Sequence, residues 1–121
     1  MTQEQKDLVL KDLCARLPYF TKVQIKNEIV VLDSICDDDG YHFNFIGDDR
    51  EGVNIEQVKP YLFPLSSMTE EQKSQYSFFL TRIIDGYDSS LLIDWLNKNH
   101  FDYRGLIPMG LAIDATDKNI Y

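Results

Sequence analysis

Between residues 69 and 87, apolar residues recur with the spacing of one helix face. They stand at i, i+3, i+4, i+7, i+8 and i+11, which is typical of an amphipathic helix that buries a stripe. Thr69 and Gln72 have the spacing of a capping box, in which each side chain satisfies a backbone N–H of the first turn. We therefore expect this helix to organise the fold and to bury its stripe. The stripe consists of Tyr76, Phe79, Leu80, Ile83, Ile84 and Tyr87.

Two further segments predict helices. Residues 2–17 repeat apolar positions at helical spacing, and Pro18 ends that pattern. A third helix is expected from Asp88 or Ser89 to Asn99. The residues expected to be buried are Leu10, Leu13, Cys14 and Leu17 in the first helix and Leu91, Leu92, Trp95 and Leu96 in the third.

Between the first two helices the pattern changes to the two-residue alternation of β-strands. Gly40 is expected to take a positive φ in a turn between two of them. Residues 59–68 hold Pro60 and Pro64 and predict an irregular connector. The strand candidates are residues 22–26, 28–36 and 41–46, and residues 53–58 as a fourth short strand or a strand followed by a helical turn.

These elements predict one α+β domain of 121 residues. It consists of an N-terminal helix, a small antiparallel four-stranded meander or SH3-like barrel, and a helical C-terminal half. No apolar run approaches the ~20 residues of a membrane span, and the polar N-terminus does not have the pattern of a signal peptide. We therefore expect a cytoplasmic protein, with Cys14 and Cys36 as reduced core thiols.

The charge distribution narrows the choice of partner. The chain has a net charge of −8, and residues 27–57 alone hold one base and nine acids. A net-acidic chain repels phosphate, which disfavours direct binding to nucleic acids and to anionic membranes. A protein partner, and a basic one in particular, is compatible with this charge.

Acidic residues cluster in two of the predicted turns. Paired turns could gather these carboxylates around Ca²⁺, but an EF-hand loop starting at Asp37 would place His42 where glycine is required and Asp48 where glutamate is required. A solvated acidic rim is the favoured interpretation, and neither a metal nor a cofactor is predicted. The acidic residues are Asp37, Asp38, Asp39, Asp48, Asp49 and Glu51.

Candidate catalytic residues are few. His100 and Asp102 could form an acid–base pair, although a helix-end histidine followed by an N-cap aspartate explains them without catalysis. The GxSxG, GxGxxG and GxxxxGKS patterns do not occur. For protein binding the candidates are aromatic residues and an arginine, which are enriched at interfaces, with burial in the core as the alternative for the aromatics. They are Tyr61, Phe63, Tyr103 and Arg104.

Three blocks of sequence are also distinctive as strings: KDLCARLPY at residues 11–19, VKPYLFPLSSMTEEQ at residues 58–72, and DWLNKNHFDYRGLI at residues 94–107. With them the chain resembles a family of short proteins, of unassigned activity, from gut anaerobes and their phages and integrated elements. The resemblance implies no catalytic residues. It favours an accessory role in binding host or phage proteins.

Three functional hypotheses follow. The first is a small acidic, non-enzymatic protein-interaction or accessory protein. The second is a mimic of nucleic-acid charge that occupies the basic groove of a partner through Asp37, Asp38, Asp39, Asp48 and Asp49. The third is a small enzyme that uses His100 and Asp102.

Overall fold

A computed structural model describes residues 1–37 and 39–121, so Asp38 lies outside the described residues. The fold is mixed α and β: an N-terminal helix, a mostly antiparallel sheet, and two further helices. The strands follow the order β3-β2-β1-β4-β5, and β6 also pairs with β4. The elements are α1 (Gln3–Ala15), β1 (Lys22–Ile25), β2 (Glu28–Asp37), β3 (Tyr41–Phe45), β4 (Lys59–Pro64), α2 (Glu70–Ile84), α3 (Ser90–Lys98), β5 (Phe101–Asp102) and β6 (Ile113–Asp114).

Strands β1, β2 and β3 form an antiparallel meander close to the predicted one. The turn between β1 and β2 is centred on Lys26 and Asn27. Their φ angles are 50° and 66°, the positive values that a two-residue type I′ hairpin requires. In the next turn Gly40 has a φ of 107°, which confirms the predicted left-handed conformation.

The prediction of an irregular connector at residues 59–68 is wrong for its first half. Residues 59–64 form β4, which lies inside the sheet and pairs antiparallel with β1 and parallel with β5 and β6. Pro60 and Pro64 lie near the strand ends, so the amides between them remain available for pairing. The Phe63 N–H, for example, donates to the His100 carbonyl at 2.8 Å.

The sheet therefore differs from a four-stranded meander or SH3-like barrel. The expected fourth strand at residues 53–58 contributes a 3₁₀ turn, Ile55–Gln57, and β4 takes its place in the sheet. Long-range pairing with β5 and β6 is what the local alternation could not predict. Among the described residues, no helix has the length and apolarity needed to cross a bilayer.

Helix α1 covers the sheet largely with the expected face, since Leu13 is buried and Leu10 and Leu17 pack against the main core. Thr2 and Gln5 form its capping box, and Val9 and Leu13 pack into the main core with residues of β1, β2 and β3. Asp12 and Arg16 share this buried face, whereas Cys14 is exposed. Cys36 is also exposed, so the expectation of two core thiols is wrong.

A charged network lies inside the fold. Asp12 and Arg16 are fully buried, and Arg16 donates to both Asp12 carboxylate oxygens at 2.9 and 3.0 Å. Arg16 also donates to the Phe101 carbonyl at 2.6 Å, and Arg104 donates to Asp12 at 2.8 Å. The network therefore joins α1 to β5 and to the loop that follows it.

Helix α2 is not the organising element. The capping box of Thr69 and Gln72 is confirmed, but none of the residues of α2 is buried. Leu80 is 38% exposed and Ile84 is 85% exposed, because α1 is the helix that packs on the main core of the sheet. Helix α2 joins a second cluster with α3, to which it contributes Tyr76, Phe79 and Ile83.

Candidate functional site

A groove of about 740 Å³ lies beside strand β3. Four successive residues of β3, 41–44, line one side, and residues 50–55 line the other. We call this the β3 groove. β3 is the terminal strand of the sheet; its outer side has one isolated antiparallel bridge, between Phe45 and Asp48, and no strand of the described residues pairs with it. A groove beside an open strand edge has the shape that an extended peptide requires.

The floor of the β3 groove is apolar and its ends are polar. Phe43 is buried in the main core, and Val53 and Ile55 pack against that core. Tyr41 is an exposed aromatic at one end. On the opposite face of β3, the Asn44 amide donates to Ser34 Oγ at 3.1 Å, which fixes its orientation. The groove thus offers apolar contacts between polar side chains, as peptide-binding grooves do.

Arg50 holds the outer wall in place. Its guanidinium donates to Glu28 at 2.7 Å and to Asp48 at 2.8 Å, and its backbone N–H also donates to Asp48. These hydrogen bonds lower the pKa of the Asp48 carboxyl. The start of β2 and the segment after β3 are therefore linked by one guanidinium that contacts two carboxylates.

The remaining carboxylates form what we call the acidic rim: Asp37, Asp39, Asp49 and Glu51. Each lines the β3 groove or lies within two residues of a residue that does, and all four are exposed. None makes an ion pair within residues 1–37 and 39–121. The predicted binding residues Asp37, Asp39, Asp48 and Asp49 each lie within two residues of a residue that lines the groove, but none of them lines it; Asp38 is not described. The described residues contain no group of three side chains placed to hold a metal ion.

Of the two catalytic candidates, Asp102 holds the loop that follows β5, whereas His100 lines a cavity of about 360 Å³ that Asp102 does not line. Asp102 accepts hydrogen bonds from the N–H groups of Leu106 and Ile107, both at 2.9 Å. The His100 ring is 9% exposed and stacks on Tyr121 with 3.8 Å between ring centroids. Burial, together with the positive charges of Arg16 and Lys22, lowers the pKa of His100 to about 4.

This pKa predicts a specific pH dependence of stability. In the unfolded chain His100 binds a proton near pH 6.5, whereas in the folded protein it stays neutral until about pH 4. The contribution of neutral His100 is therefore complete above pH 6.5 and is lost as the pH falls toward 4.

Replacing His100 by asparagine removes the titrating group and suits the positive φ of 60° at this position. Urea unfolding between pH 7.5 and 5 is expected to show a smaller loss of stability for His100→Asn than for the parent protein. Equal pH slopes would contradict this explanation.

The four residues predicted for protein binding are not brought to the β3 groove. Tyr61 is buried in β4, so it is a core residue rather than a surface residue. Phe63 packs edge-on against Phe101. The Tyr103 hydroxyl donates to Asn97 at 2.9 Å, and Arg104 belongs to the buried charged network.

Sequence reasoning missed the residues that shape the groove. Tyr41 and Asn44 were placed on a strand, but nothing in the local pattern shows that this strand lies at the sheet edge. Arg50 is the one base among the nine acids of residues 27–57, a signal that could have identified it as a charge clamp. Comparisons with protein-family models, curated proteins and solved structures find no match for this chain.

Proposed function

We propose that this protein is a cytoplasmic, non-enzymatic interaction protein that binds an extended basic segment of a partner protein in the β3 groove. The observation that carries the proposal is the position of the groove, along the terminal strand of the sheet and near four carboxylates that make no ion pair among the described residues. The exposed thiols of Cys14 and Cys36 are compatible with a reducing compartment.

Strand addition explains how the segment is held. A peptide that pairs with β3 forms backbone hydrogen bonds, which supply affinity with little dependence on sequence. Alternate side chains of the peptide then point toward the two faces of the sheet. Those on the core side meet Tyr41, Val53 and Ile55 at the groove.

The acidic rim explains the preference for basic segments. Lysine or arginine side chains that alternate with apolar ones would lie among Asp37, Asp39, Asp49 and Glu51. Because these carboxylates are exposed, their attraction is screened by salt and affects the association rate most strongly. Binding is therefore expected to weaken as the ionic strength rises.

The structure gives less support to the two other hypotheses. Of the residues that a charge mimic would use, Asp48 is held by Arg50, whereas Asp37, Asp39 and Asp49 make no ion pair among the described residues. Attraction to a basic partner is therefore common to both hypotheses, and it is the β3 groove that favours an extended segment. An enzyme would need His100 and Asp102 near a substrate, but Asp102 holds the loop that follows β5.

A charge-reversal experiment tests the proposal. The probe is a peptide of about eight alternating lysine and valine residues with blocked, fluorescently labelled ends, matched to the length of a strand. Glu51→Lys is expected to weaken binding of the probe about three- to tenfold, because it places a positive charge in the groove wall. Fluorescence anisotropy at two salt concentrations measures this change.

Glu70→Lys is the matched control. It changes the net charge by the same amount but lies on α2, outside the groove. An equal loss of affinity in both variants would show that the probe responds to overall charge, and would contradict binding at the β3 groove.

A further inference from the structure

A second surface lies on the helical side of the protein, between α2 and α3. A groove of about 310 Å³ there is lined by Ser74, Gln75, Phe78, Phe79 and Trp95. Phe78 is 57% exposed beside this groove, although it is a large apolar residue. The proposed function in the β3 groove does not use this surface.

The side chains along this flank of α2 follow a symmetrical order. Glu71, Gln75, Phe78 and Arg82 stand at i, i+4, i+7 and i+11, so they form one column along the helix. Glu71 and Arg82 lie at equal distances from the midpoint of the column, and so do Gln75 and Phe78. A second copy that is turned end over end therefore meets each residue with its complement.

We propose that two copies of this chain associate through this column in an antiparallel, two-fold symmetric arrangement. Glu71 of each copy faces Arg82 of the other, and Phe78 of each copy lies over Gln75 of the other and enters the groove beside Trp95. Such an interface is isologous, because the same patch serves both copies. The column carries one acid and one base, so it adds no net repulsion at the contact.

Arg82 is already held in the position that this contact requires. Its guanidinium carbon lies 5.5 Å from the centre of the Phe78 ring and 4.3 Å from that of Tyr87. Stacking on two rings restricts the guanidinium to this flank, which reduces the ordering cost of an ion pair with a second copy.

The available area suits a modest dimer. α2 has 15 residues and is therefore about 22 Å long. Aromatic side chains bury ~150–250 Å² each when covered, but Phe78 is 57% exposed and Phe79 and Trp95 are already partly buried in the second cluster. The contact therefore stays below the ~800 Å² per partner of a standard interface. We expect a dissociation constant in the micromolar range, which corresponds to the lower end of specific interfaces.

Ile84 provides a matched control because it is exposed but lies elsewhere. It is six residues from Phe78, which at 100° per residue is about 120° around the helix axis. Ile84→Ser removes more exposed apolar surface than Phe78→Ser, yet it leaves the column intact.

Sedimentation equilibrium at protein concentrations up to about 0.5 mM tests the arrangement. The parent protein and Ile84→Ser are expected to dimerise, and Phe78→Ser to stay monomeric. Glu71→Arg and Arg82→Glu are each expected to weaken dimerisation at least tenfold, and the double exchange Glu71→Arg/Arg82→Glu to restore it. Circular dichroism confirms that each variant is folded.

The rescue by the double exchange is the decisive result, since only a contact between residues 71 and 82 of different copies predicts it. A parent protein that remains monomeric at the highest concentration would overturn the proposal. A double exchange that dimerises no better than the single variants, or loss of the dimer in Ile84→Ser, would also overturn it.

Discussion

Replacing Asp12 by alanine is expected to lower the free energy of unfolding by about 3–5 kcal/mol, because it leaves a buried guanidinium without its counter-ion. Asp12 and Arg16 both have side chains with 0% exposure, and Asp12 also receives a hydrogen bond from Arg104. Domains of this kind have a total free energy of unfolding of ~5–15 kcal/mol, so this loss is a large fraction of the total stability. Urea unfolding monitored by circular dichroism measures it.

Asp7→Ala is the matched control. Asp7 lies on the same helix, is exposed, and accepts one hydrogen bond from Gln3, so its loss is expected to cost less than about 1 kcal/mol. The apolar double variant Asp12→Leu/Arg16→Met removes both buried charges and is expected to be more stable than Asp12→Ala. If Asp12→Ala and Asp7→Ala have the same free energy of unfolding, the buried network does not hold α1 to the sheet.

The second large effect is expected at Phe101. Phe101→Ala is predicted to cost about 3–5 kcal/mol, because truncation of a buried aromatic side chain removes its contacts and leaves a cavity. Phe101 is fully buried in the second cluster, and its ring centre lies 5.5 Å from that of Trp95 and 6.4 Å from that of Phe63.

Leu80→Ala is the comparison that separates this structure from the sequence-based expectation. Leu80 was expected to be a core residue of the organising helix, but it is exposed on α2. Its truncation is therefore expected to change stability by less than about 1 kcal/mol. Thermal unfolding in which Leu80→Ala loses as much stability as Phe101→Ala would contradict the assignment of Phe101 to the core and Leu80 to the surface.

The local elements could be predicted because their signals are local. Strands β1 and β3 alternate in hydrophobicity, β2 contains a continuous apolar run at residues 29–32, and turn residues such as Gly40 separate the strands. The cap of α2 depends only on Thr69 and Gln72. These signals involve residues a few positions apart, and tertiary packing does not override them.

The burial of a residue depends on which helix packs against the sheet, and this packing involves residues that are distant in the sequence. The stripe of α2 correctly indicates a helix, but periodicity does not show that α1 rather than α2 packs on the main core. Asp12 and Arg16 have the spacing of a solvent-exposed ion pair, so their burial could not be read from the sequence. The sequence did not predict β4 because prolines usually interrupt strands. Here both prolines lie near the strand ends, where they leave the amides between them free to pair.

The acidic charge near the candidate site could be read from the sequence, but the shape of the site could not. The concentration of acidic charge in residues 27–57 indicated a basic protein partner. The groove itself requires β3 to be the terminal strand and residues 50–55 to run beside it. Both depend on sheet order and on the Arg50 clamp, which joins residues 22 positions apart.

The central claim is that a basic extended segment binds in the β3 groove, and backbone amide NMR tests it most directly. The ¹⁵N-labelled protein is titrated to about 1 mM with the unlabelled lysine–valine peptide and, separately, with a glutamate–valine peptide of the same length. We predict chemical-shift changes concentrated in residues 41–44 and 50–55 with the lysine peptide and none with the glutamate peptide. Shifts that are absent, that are equal for both peptides, or that lie on other elements would contradict the claim.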